Sequence, residues 1–419
     1  MKLLKAAKAD RAHGLAHQRQ TSVLLAVRCL ALCLCLPICS INAGIVEDWN
    51  EAFLNAVRKE TPPPCLVSRN LPIFHLTIHR AVKAAAQAKL DVQSQTQAAH
   101  LAARASFLSF FPSQSKFAET LDAKVKLGEV PDNVRTLVND AVQRTLKERE
   151  NDGSSTTIHY VPSEKPGQWR RTPPNFRPPE FPHWGLVKPF ILEEVQSFRT
   201  QPPPALGSAR YAEEVNHLKA IGGKVSTLRT AEQTLIAKFW ADFSYTSSPP
   251  GHWNEITREI CRQRKLPLAE TAQLFALLNV TLADTCITIW DTKYHYNYWR
   301  PVTAIQRADE DGNDATTADK TWEPLLRTPP HPEYVSGHSG ISGAAAVILE
   351  HHFGTKDISF EASSDDVKDI KRRFTSFQTC AQEIAMSRIY GGIHYLAAGS
   401  EGLNLGRKVA EYAIRHFSE

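Results

Sequence analysis

Three short segments in the last third of the chain concentrate cations, histidines and hydrogen-bonding groups. The first contains Lys293 and Arg300, which lie seven residues apart, so a continuous helix would place both on one face. Pro301 disfavours helix at the residue before it, and the Arg300 guanidinium is therefore expected near a helix end. Arginine can give two hydrogen bonds to an oxyanion, while lysine adds a point charge. Such a cation pair more often belongs to a solvated face, but Trp290 and other aromatic residues surround this one.

The second segment is Ser336-Gly337-His338, which leads into an apolar run over residues 340–353. Ser336 is a candidate N-cap, and the free amides at the start of the following helix would bind an anion. Gly337 permits close approach of the backbone, and His338 would stand beside the anion as a general acid or base. Alone, a Ser-Gly-His sequence more often marks ordinary helix capping.

The third segment runs from Ser387-Arg388 to His394 and contains the pair Gly391-Gly392. A helix that carries Arg388 is expected to end at the double glycine, which allows His394 to point inward. Each segment alone would more often be an unremarkable surface feature. In this order and with these residue types, the three together predict a buried site for an oxyanion.

The order Lys-x6-Arg-Pro, Ser-Gly-His and Ser-Arg-x5-His resembles the three-part signature shared by vanadium-dependent haloperoxidases and type 2 phosphatidic acid phosphatases. The wider chain is similar to soluble haloperoxidase-like members at two further motifs, Phe239-Trp240-Ala241-Asp242 and Pro250-Gly251-His252. The resemblance implies that vanadate is the cofactor and that five residues hold its oxygens: Lys293, Arg300, Ser336, Gly337 and Arg388. It also implies that His394 is the direct ligand to vanadium and that His338 is the acid–base residue.

Two positions at the edge of the site and two departures from the family pattern refine this expectation. Trp290 matches an aromatic residue that lines the site in the family. His331 occupies a position where bromoperoxidase-like members carry histidine and chloroperoxidase-like members carry phenylalanine, which favours bromide. Val335 replaces the usual proline, and Ala398 stands where many members have aspartate. The missing aspartate leaves the orientation of His394 open, and an aspartate introduced there is expected to strengthen vanadate binding.

Three functions remain open at this point. The first is a vanadate-dependent haloperoxidase that oxidises halide with hydrogen peroxide. The second is a soluble phosphoester hydrolase in which phosphate fits the same cradle, His394 is the nucleophile and His338 is the general acid. The third is an oxyanion-binding protein without catalytic activity. In each case the partners are small molecules, and the oligomeric state is not determined by the sequence.

The elements that must position these residues are predicted to be helices throughout, which makes the protein all-α with a helical bundle around the anion site. Residues 44–200 form an N-terminal helical region with a proline-rich loop at 151–189, whose aromatic residues favour packing beside a substrate channel over a plain linker. Residues 201–419 form the catalytic helical region, packed with 44–200 as one unit. Its predicted helices span 211–224, 230–244, 252–264, 267–299, 340–353, 364–390 and 400–417. Few apolar runs alternate, so strands should be scarce.

Charge and cysteine usage limit the remaining possibilities. Residues 1–43 contain six lysines and arginines and one aspartate, so they account for the whole net charge of +5. The rest of the chain is neutral, which argues against a nucleic-acid partner.

The basic stretch and the apolar run at 29–39 predict a signal peptide and export, with an uncleaved anchor or a disordered cytosolic tail as alternatives. No other stretch is predicted to be transmembrane. Outside this leader, Cys65, Cys261, Cys286 and Cys380 are predicted to be buried thiols, although one or two disulfides remain compatible with export.

Overall fold

The computed structural model describes residues 44–125 and 127–419, and the predicted leader at 1–43 lies outside the described residues. The described chain is almost entirely helical, as the sequence predicts, with one short β-hairpin. The first helices are α1 (Ile45–Glu60), α2 (Pro64–Gln87), α3 (Val92–Phe110), α4 (Ser115–Val125) and α5 (Asp132–Glu148). The later ones are α6 (Ala209–Ile221), α7 (Ala231–Phe239), α8 (Ser248–Arg264), α9 (Leu268–Tyr296), α10 (Pro301–Gln306), α11 (Gly337–Phe353), α12 (Phe377–Tyr390) and α13 (Leu396–His416). The hairpin consists of β1 (Phe360–Ser363) and β2 (Lys371–Phe374).

Helix boundaries follow local capping chemistry. The side chains of Asp91, Ser208, Thr230, Ser336 and Ser376 each accept a hydrogen bond from a backbone N–H in the first turn of the helix that follows. Such caps satisfy donors that have no acceptor within the helix. Proline opens α2 and α10, where its missing N–H costs nothing.

Helix α9 is the central element of the core. It packs against α2, α11 and α13, and its side chains are buried on nearly every face. Within the described residues it is also the one helix long and apolar enough to cross a membrane, by length and composition only. Because 89% of its apolar window is buried, its hydrophobicity is accounted for by its place in the core.

Helices α11 and α13 pack with their backbones in contact. A Cβ atom added at Gly406 would lie 2.0 Å from the carbonyl oxygen of Gly340, and one at Gly343 would lie 2.4 Å from that of Leu403. Only glycine fits at such a distance, so these residues set the separation of the two helices. The same contact brings the start of α11 to the start of α13, where the Ser336 N–H donates to the Ala398 carbonyl oxygen at 3.0 Å.

The predicted single helix over 364–390 is wrong in its first half. Residues 360–374 form the antiparallel hairpin, and α12 begins only at Phe377. The aromatic rings of Phe360, Phe374 and Phe377 pack together, with centroid distances of 5.6 Å and 5.2 Å from Phe360 to the other two. This tertiary packing outweighs the helical preference of the segment. In the turn of the hairpin, Asp366 accepts a hydrogen bond from the Asp242 N–H at 2.9 Å and so anchors the loop after α7.

The proline-rich segment at 151–189 packs on the helical body, so the alternative of a plain linker is wrong. Trp169 and Trp184 within it are fully buried, and the Trp169 N–H donates to the Asn297 carbonyl oxygen at 2.7 Å. Just beyond it, the buried Asp284 carboxylate accepts three backbone N–H groups, those of Phe190, Ile191 and Leu192. The four cysteines of the described chain are free and buried, as the sequence predicts by default.

Candidate active site

A cavity of about 980 Å³, including its part open to solvent, reaches from the surface to the meeting point of the three sequence segments. At its inner end lie Gly337 and His338 from the start of α11, Arg388 from α12 and His394 from the turn before α13. Trp290 and His331 form part of the wall, and their rings pack with centroids 5.1 Å apart. Of the nine residues singled out from the sequence, six therefore line one cavity.

Lys293 and Arg300 lie directly behind this wall and are completely buried. They do not share one helical face, because α9 ends at Tyr296 and Asn297 adopts a left-handed conformation with φ of 50°. The chain reverses there, and Arg300 becomes the N-cap residue of α10. The predicted one-face arrangement is thus wrong, although the end of a helix near Arg300 was anticipated from Pro301.

The two buried cations hold the backbone that leads to Ser336. The Lys293 Nζ donates to the carbonyl oxygens of Pro332 and Glu333 at 3.1 Å and 2.9 Å. Arg300 donates through Nε to the His331 carbonyl oxygen at 2.9 Å and through Nη1 to that of Ile393 at 3.0 Å.

Ser336 also lies behind the cavity wall. Its side chain is fully buried and caps α11, accepting hydrogen bonds from the N–H and the hydroxyl of Ser339 at 3.3 Å and 2.9 Å. Ser336, Lys293 and Arg300 thus form a buried layer behind the residues that line the inner end of the cavity.

A carboxylate orients the His394 ring from the side away from the cavity. Glu333 Oε1 lies 2.8 Å from His394 Nδ1 and also accepts the Tyr395 N–H at 3.0 Å. Because Oε1 accepts there, we assign the ring proton to Nδ1, which leaves the lone pair on Nε2. Nε2 lies 3.4 Å from Arg300 Nη1. Burial, reinforced by Arg300 and Lys293, lowers the pKa of His394 well below its usual range and keeps the ring neutral.

The Glu333 carboxyl is itself completely buried. Burial raises its pKa to about 8, against the attraction of Arg300 and Lys293. Oε2 has no hydrogen-bond partner among the described residues, so it is the oxygen that carries the proton when Glu333 is neutral. Oε1 can therefore accept the hydrogen bond from His394 whether Glu333 is neutral or charged.

A second buried pair stands behind His338. Its Nε2 lies 3.7 Å from Asp242 Oδ2, and Asp242 Oδ1 lies 3.0 Å from His252 Nδ1. Burial opposes the charge on His252, but attraction to Asp242 and the hydrogen bond with it outweigh burial and raise its pKa to about 9. Burial and repulsion from Arg388 lower the pKa of His338 to about 3, so this histidine is neutral near pH 7.

Several buried hydrogen-bonding groups at the inner end of the cavity have no partner. Arg388 Nε and His338 Nε2 are buried without a hydrogen-bond partner in the described chain, and the Arg388 Nε–H is a donor in every charge state of the site. The first amides of α11, those of Gly337 and His338, likewise find no acceptor among the described residues. A Cβ atom added at Gly337 would meet nothing within 4 Å, so space remains above these amides.

Buried positive charge points to the same ligand. Burial lowers the pKa of both Arg300 and Arg388 to about 10 and that of Lys293 well below its usual range. Buried cations of this kind are costly unless an anion compensates them. A tetrahedral oxyanion such as vanadate or phosphate fits this site, because it accepts hydrogen bonds from arginine and from a helix N-terminus together.

Two site residues were missed at the sequence level. Glu333 lies three residues before Ser336, and the absence of aspartate at position 398 had left the orientation of His394 open. Asp242 ends the family-like motif Phe239-Trp240-Ala241-Asp242, which had received no role. Their partners, His394 and His338, are distant in sequence, so only the fold could pair them.

The fold and this site define an all-helical protein with a buried oxyanion cradle completed by two neutral histidines. A family model described as the VCPO second helical-bundle domain matches residues 273–419, which include all nine residues singled out above. Residues 273–419 are thus similar to a helical-bundle domain of the vanadium chloroperoxidase family.

Relatives and solved structures agree with this assignment. The vanadium chloroperoxidase of Curvularia inaequalis is 29% identical over 216 residues, covering 43% of this chain and 35% of that protein. The vanadium-dependent bromoperoxidase of Corallina pilulifera is 37% identical over 93 residues, covering 20% of this chain and 16% of that protein. This chain thus matches only about a third or less of the length of these relatives. The structure of a bacterial vanadium-dependent iodoperoxidase is similar with a TM-score of 0.77 at 25% identity, covering 90% of this chain and 97% of that one.

Proposed function

We propose that this protein is a vanadate-dependent haloperoxidase that oxidises halide, preferentially bromide, with hydrogen peroxide. The observation that carries the proposal is that a neutral His394 lines one cavity with Arg388, whose Nε is buried without a partner, and with the free amides at the start of α11. The choice of bromide rests on His331, which lies in the cavity wall against Trp290.

Each residue has a distinct part in this proposal. His394, neutral and oriented by Glu333, would be the ligand, while Arg388 and the Gly337 amide would bind the oxygens from the cavity side. Lys293, Arg300 and Ser336 would supply charge and hold the cradle from behind. Vanadate, when bound, would activate hydrogen peroxide so that halide is oxidised without a change in the oxidation state of the metal.

His338 would handle protons. Oxidation of halide by peroxide consumes one proton and yields hypohalous acid and water, so a group that can donate and recover a proton must stand at the cradle. His338 lies there with the Asp242 carboxylate 3.7 Å from its Nε2, and that carboxylate would stabilise a transient imidazolium.

A phosphoester hydrolase is the second candidate, and one contact favours it. Glu333 at Nδ1 would make His394 a better nucleophile, which is the role that the missing aspartate had left without a residue. His338 would then protonate the leaving group. Phosphate and vanadate would compete for one site in either case, because both offer tetrahedral oxygens to the same donors.

The deciding experiment uses one metal-free preparation for both activities. We expect bromination of a β-diketone to appear in proportion to added vanadate, and phosphate to inhibit it competitively. Chloride and iodide, assayed in parallel, test the halide preference. Hydrolysis of an aryl phosphate without any vanadate-dependent bromination would overturn the proposal in favour of the hydrolase.

Two histidine variants locate the activity. His394→Ala should abolish vanadate binding and bromination together, because it removes the ligand. His351→Ala changes an exposed histidine at the far end of α11 and should leave both unchanged.

A further inference from the structure

Two arginines that form no direct ion pair in the described chain line the outer part of the cavity. Arg177, from the proline-rich segment, and Arg327, from the loop before α11, both line it. Neither guanidinium forms an ion pair or a hydrogen bond with a residue in the described part of the chain. Their side chains therefore have donors free for a ligand that arrives from solvent.

A backbone contact fixes the two arginines on one rim. The Glu180 N–H donates to the Pro330 carbonyl oxygen at 2.9 Å, and each arginine lies three residues before one of these partners. The Glu180 carbonyl oxygen accepts the Tyr294 hydroxyl at 2.8 Å, which ties the rim to α9. The arginines are thus held by a packed structure on the same side of the cavity.

The carboxyl of Glu180 also lines the cavity and must be counted against this positive charge. Burial raises its pKa, although Arg177 and Arg327 attract its charged form. Even with Glu180 fully ionised, the rim carries two cations and one anion. It therefore retains a net positive charge, which attracts anions towards the cavity.

The wall between this rim and the oxyanion cradle is apolar. Phe243, Pro249, Trp290 and Ile341 line it, and the Arg327 guanidinium lies 5.4 Å from the centroid of the Phe243 ring. A halide ion or hydrogen peroxide has no apolar area to bury against such a surface. An aromatic ring is stabilised there, because it buries apolar area against these side chains.

We propose that the outer cavity binds the organic substrate of the enzyme, and that this substrate is an aromatic carboxylate. Its carboxylate pairs with Arg177 and Arg327, and its ring lies on the apolar wall and faces the cradle. This inference rests on the proposed function in one respect, the halogenation of the bound ring. In that step hypohalous acid transfers its halogen to a ring carbon, and the displaced ring proton combines with the hydroxide of the acid to form water. The binding itself does not depend on that chemistry.

Binding is tested first, on the full chain without vanadate or halide. The probes are 3-(4-hydroxyphenyl)propionate and its primary amide, which has the same ring and no charge, measured by calorimetry in saturating phosphate. Phosphate blocks the cradle, so any affinity measured belongs to the outer cavity. We expect the acid to bind about 10-fold more tightly than the amide, since a charge-assisted pair is lost with the carboxylate.

Three variants assign the difference to the rim. Arg177→Gln and Arg327→Gln should each weaken binding of the acid several-fold and leave binding of the amide unchanged. Arg171→Gln, an exposed arginine on the same proline-rich segment, should change neither. Equal binding of acid and amide by the unaltered protein would overturn the proposal, as would loss of acid binding on addition of phosphate.

Kinetics separates this inference from the proposed function. In vanadate-loaded protein, Arg177→Gln should raise the KM for the acid and leave kcat and the KM for bromide nearly unchanged. If the acid binds at the rim but no halogenation occurs, the haloperoxidase function fails and the binding site stands. If halogenation occurs with equal KM for acid and amide, the function stands and this inference is wrong.

Discussion

Glu333 Oε1 and His394 Nδ1 lie 2.8 Å apart in the buried interior, between the oxyanion cradle and the start of α13. The same oxygen accepts the N–H of Tyr395, so the carboxyl group fixes both the ring and the backbone beside it. Ring orientation and tautomer are therefore set from Glu333, a residue 61 positions earlier in the chain, and not from the residue four positions after the histidine. Partners of this kind tune metal-bound histidines in general.

Replacing Glu333 should weaken vanadate binding without unfolding the protein. For Glu333→Ala we expect an increase in the vanadate Kd on the order of 10- to 100-fold, the usual effect of removing such a partner. Glu333→Gln keeps an acceptor oxygen for the Tyr395 N–H and should have a smaller effect. Vanadate titration by calorimetry measures both, and Glu323→Gln, an exposed position, is the control. An unchanged Kd in Glu333→Ala would mean that another group orients His394.

Anion binding should raise the pKa of His338 and cause it to take up a proton. Burial and repulsion from Arg388 hold its pKa at about 3 in the anion-free protein. A bound oxyanion adds negative charge next to the ring and favours the imidazolium, so its pKa must rise. We expect net proton uptake when phosphate binds near pH 5, measured by calorimetry in buffers of different ionisation enthalpy. The uptake should disappear in His338→Ala, and its persistence there would assign the proton to another group.

The pair formed by His252 and Asp242 should make stability depend on pH in a defined window. The His252 pKa is raised from 6.5 to about 9, so its contribution is complete below about pH 6.5 and is lost as pH rises through 9. Burial raises the pKa of Asp242, but attraction to His252 and the hydrogen bond with it outweigh burial and lower the pKa below its usual value of 3.8. The contribution of Asp242 to stability is therefore lost only in acid, as pH falls below 3.8. The pair therefore stabilises the fold most between about pH 4 and 6.5.

Unfolding by denaturant at pH 6 and pH 10 measures this contribution. The difference in free energy of unfolding between the unaltered protein and His252→Gln should shrink by about 3 kcal/mol at most over that range. His295→Gln, at an exposed histidine, should show no such change with pH. A constant difference between the first two proteins at both pH values would contradict a charged His252.

Local sequence signals predicted much of this architecture. Ser336 caps α11, Pro301 opens α10, and a helix carrying Arg388 ends before the double glycine at 391–392. Each of these features depends on residues within a few positions of one another, where capping and backbone preference decide the structure.

What the sequence did not predict depends on contacts between distant segments. The pairing of Glu333 with His394, and of Asp242 with His338, arises because α11, α12 and α13 converge with the loop after α7. The hairpin at 360–374 was missed for the same reason: its strands are short, and aromatic packing stabilises them. The reversal at Asn297, which turns Arg300 towards the cradle, is likewise a tertiary feature.

The contacts around Ala398 give a reason to expect the opposite effect for aspartate at position 398. Ala398 is fully buried and lines a small cavity behind His394 together with Glu333 and Tyr395. Its carbonyl oxygen also accepts the Ser336 N–H. The Nδ1 side of His394 is already occupied by Glu333, so a new carboxylate would find no histidine donor to accept from.

Ala398→Asp should therefore weaken vanadate binding. A second carboxylate beside the buried Glu333 must either take up a proton or remain an uncompensated charge in the interior, and repulsion between the two groups would draw Glu333 away from the ring. We expect a several-fold rise in the vanadate Kd and a loss of stability on the order of 1–3 kcal/mol, as for a buried polar group without a partner. The double variant Glu333→Ala with Ala398→Asp is the informative comparison, because it removes the repulsion and leaves one carboxylate near the ring. If the double variant binds vanadate more tightly than Glu333→Ala alone, position 398 can serve His394 once Glu333 is gone. If Ala398→Asp alone binds vanadate more tightly than the unaltered protein, Glu333 does not fill the role assigned to it here.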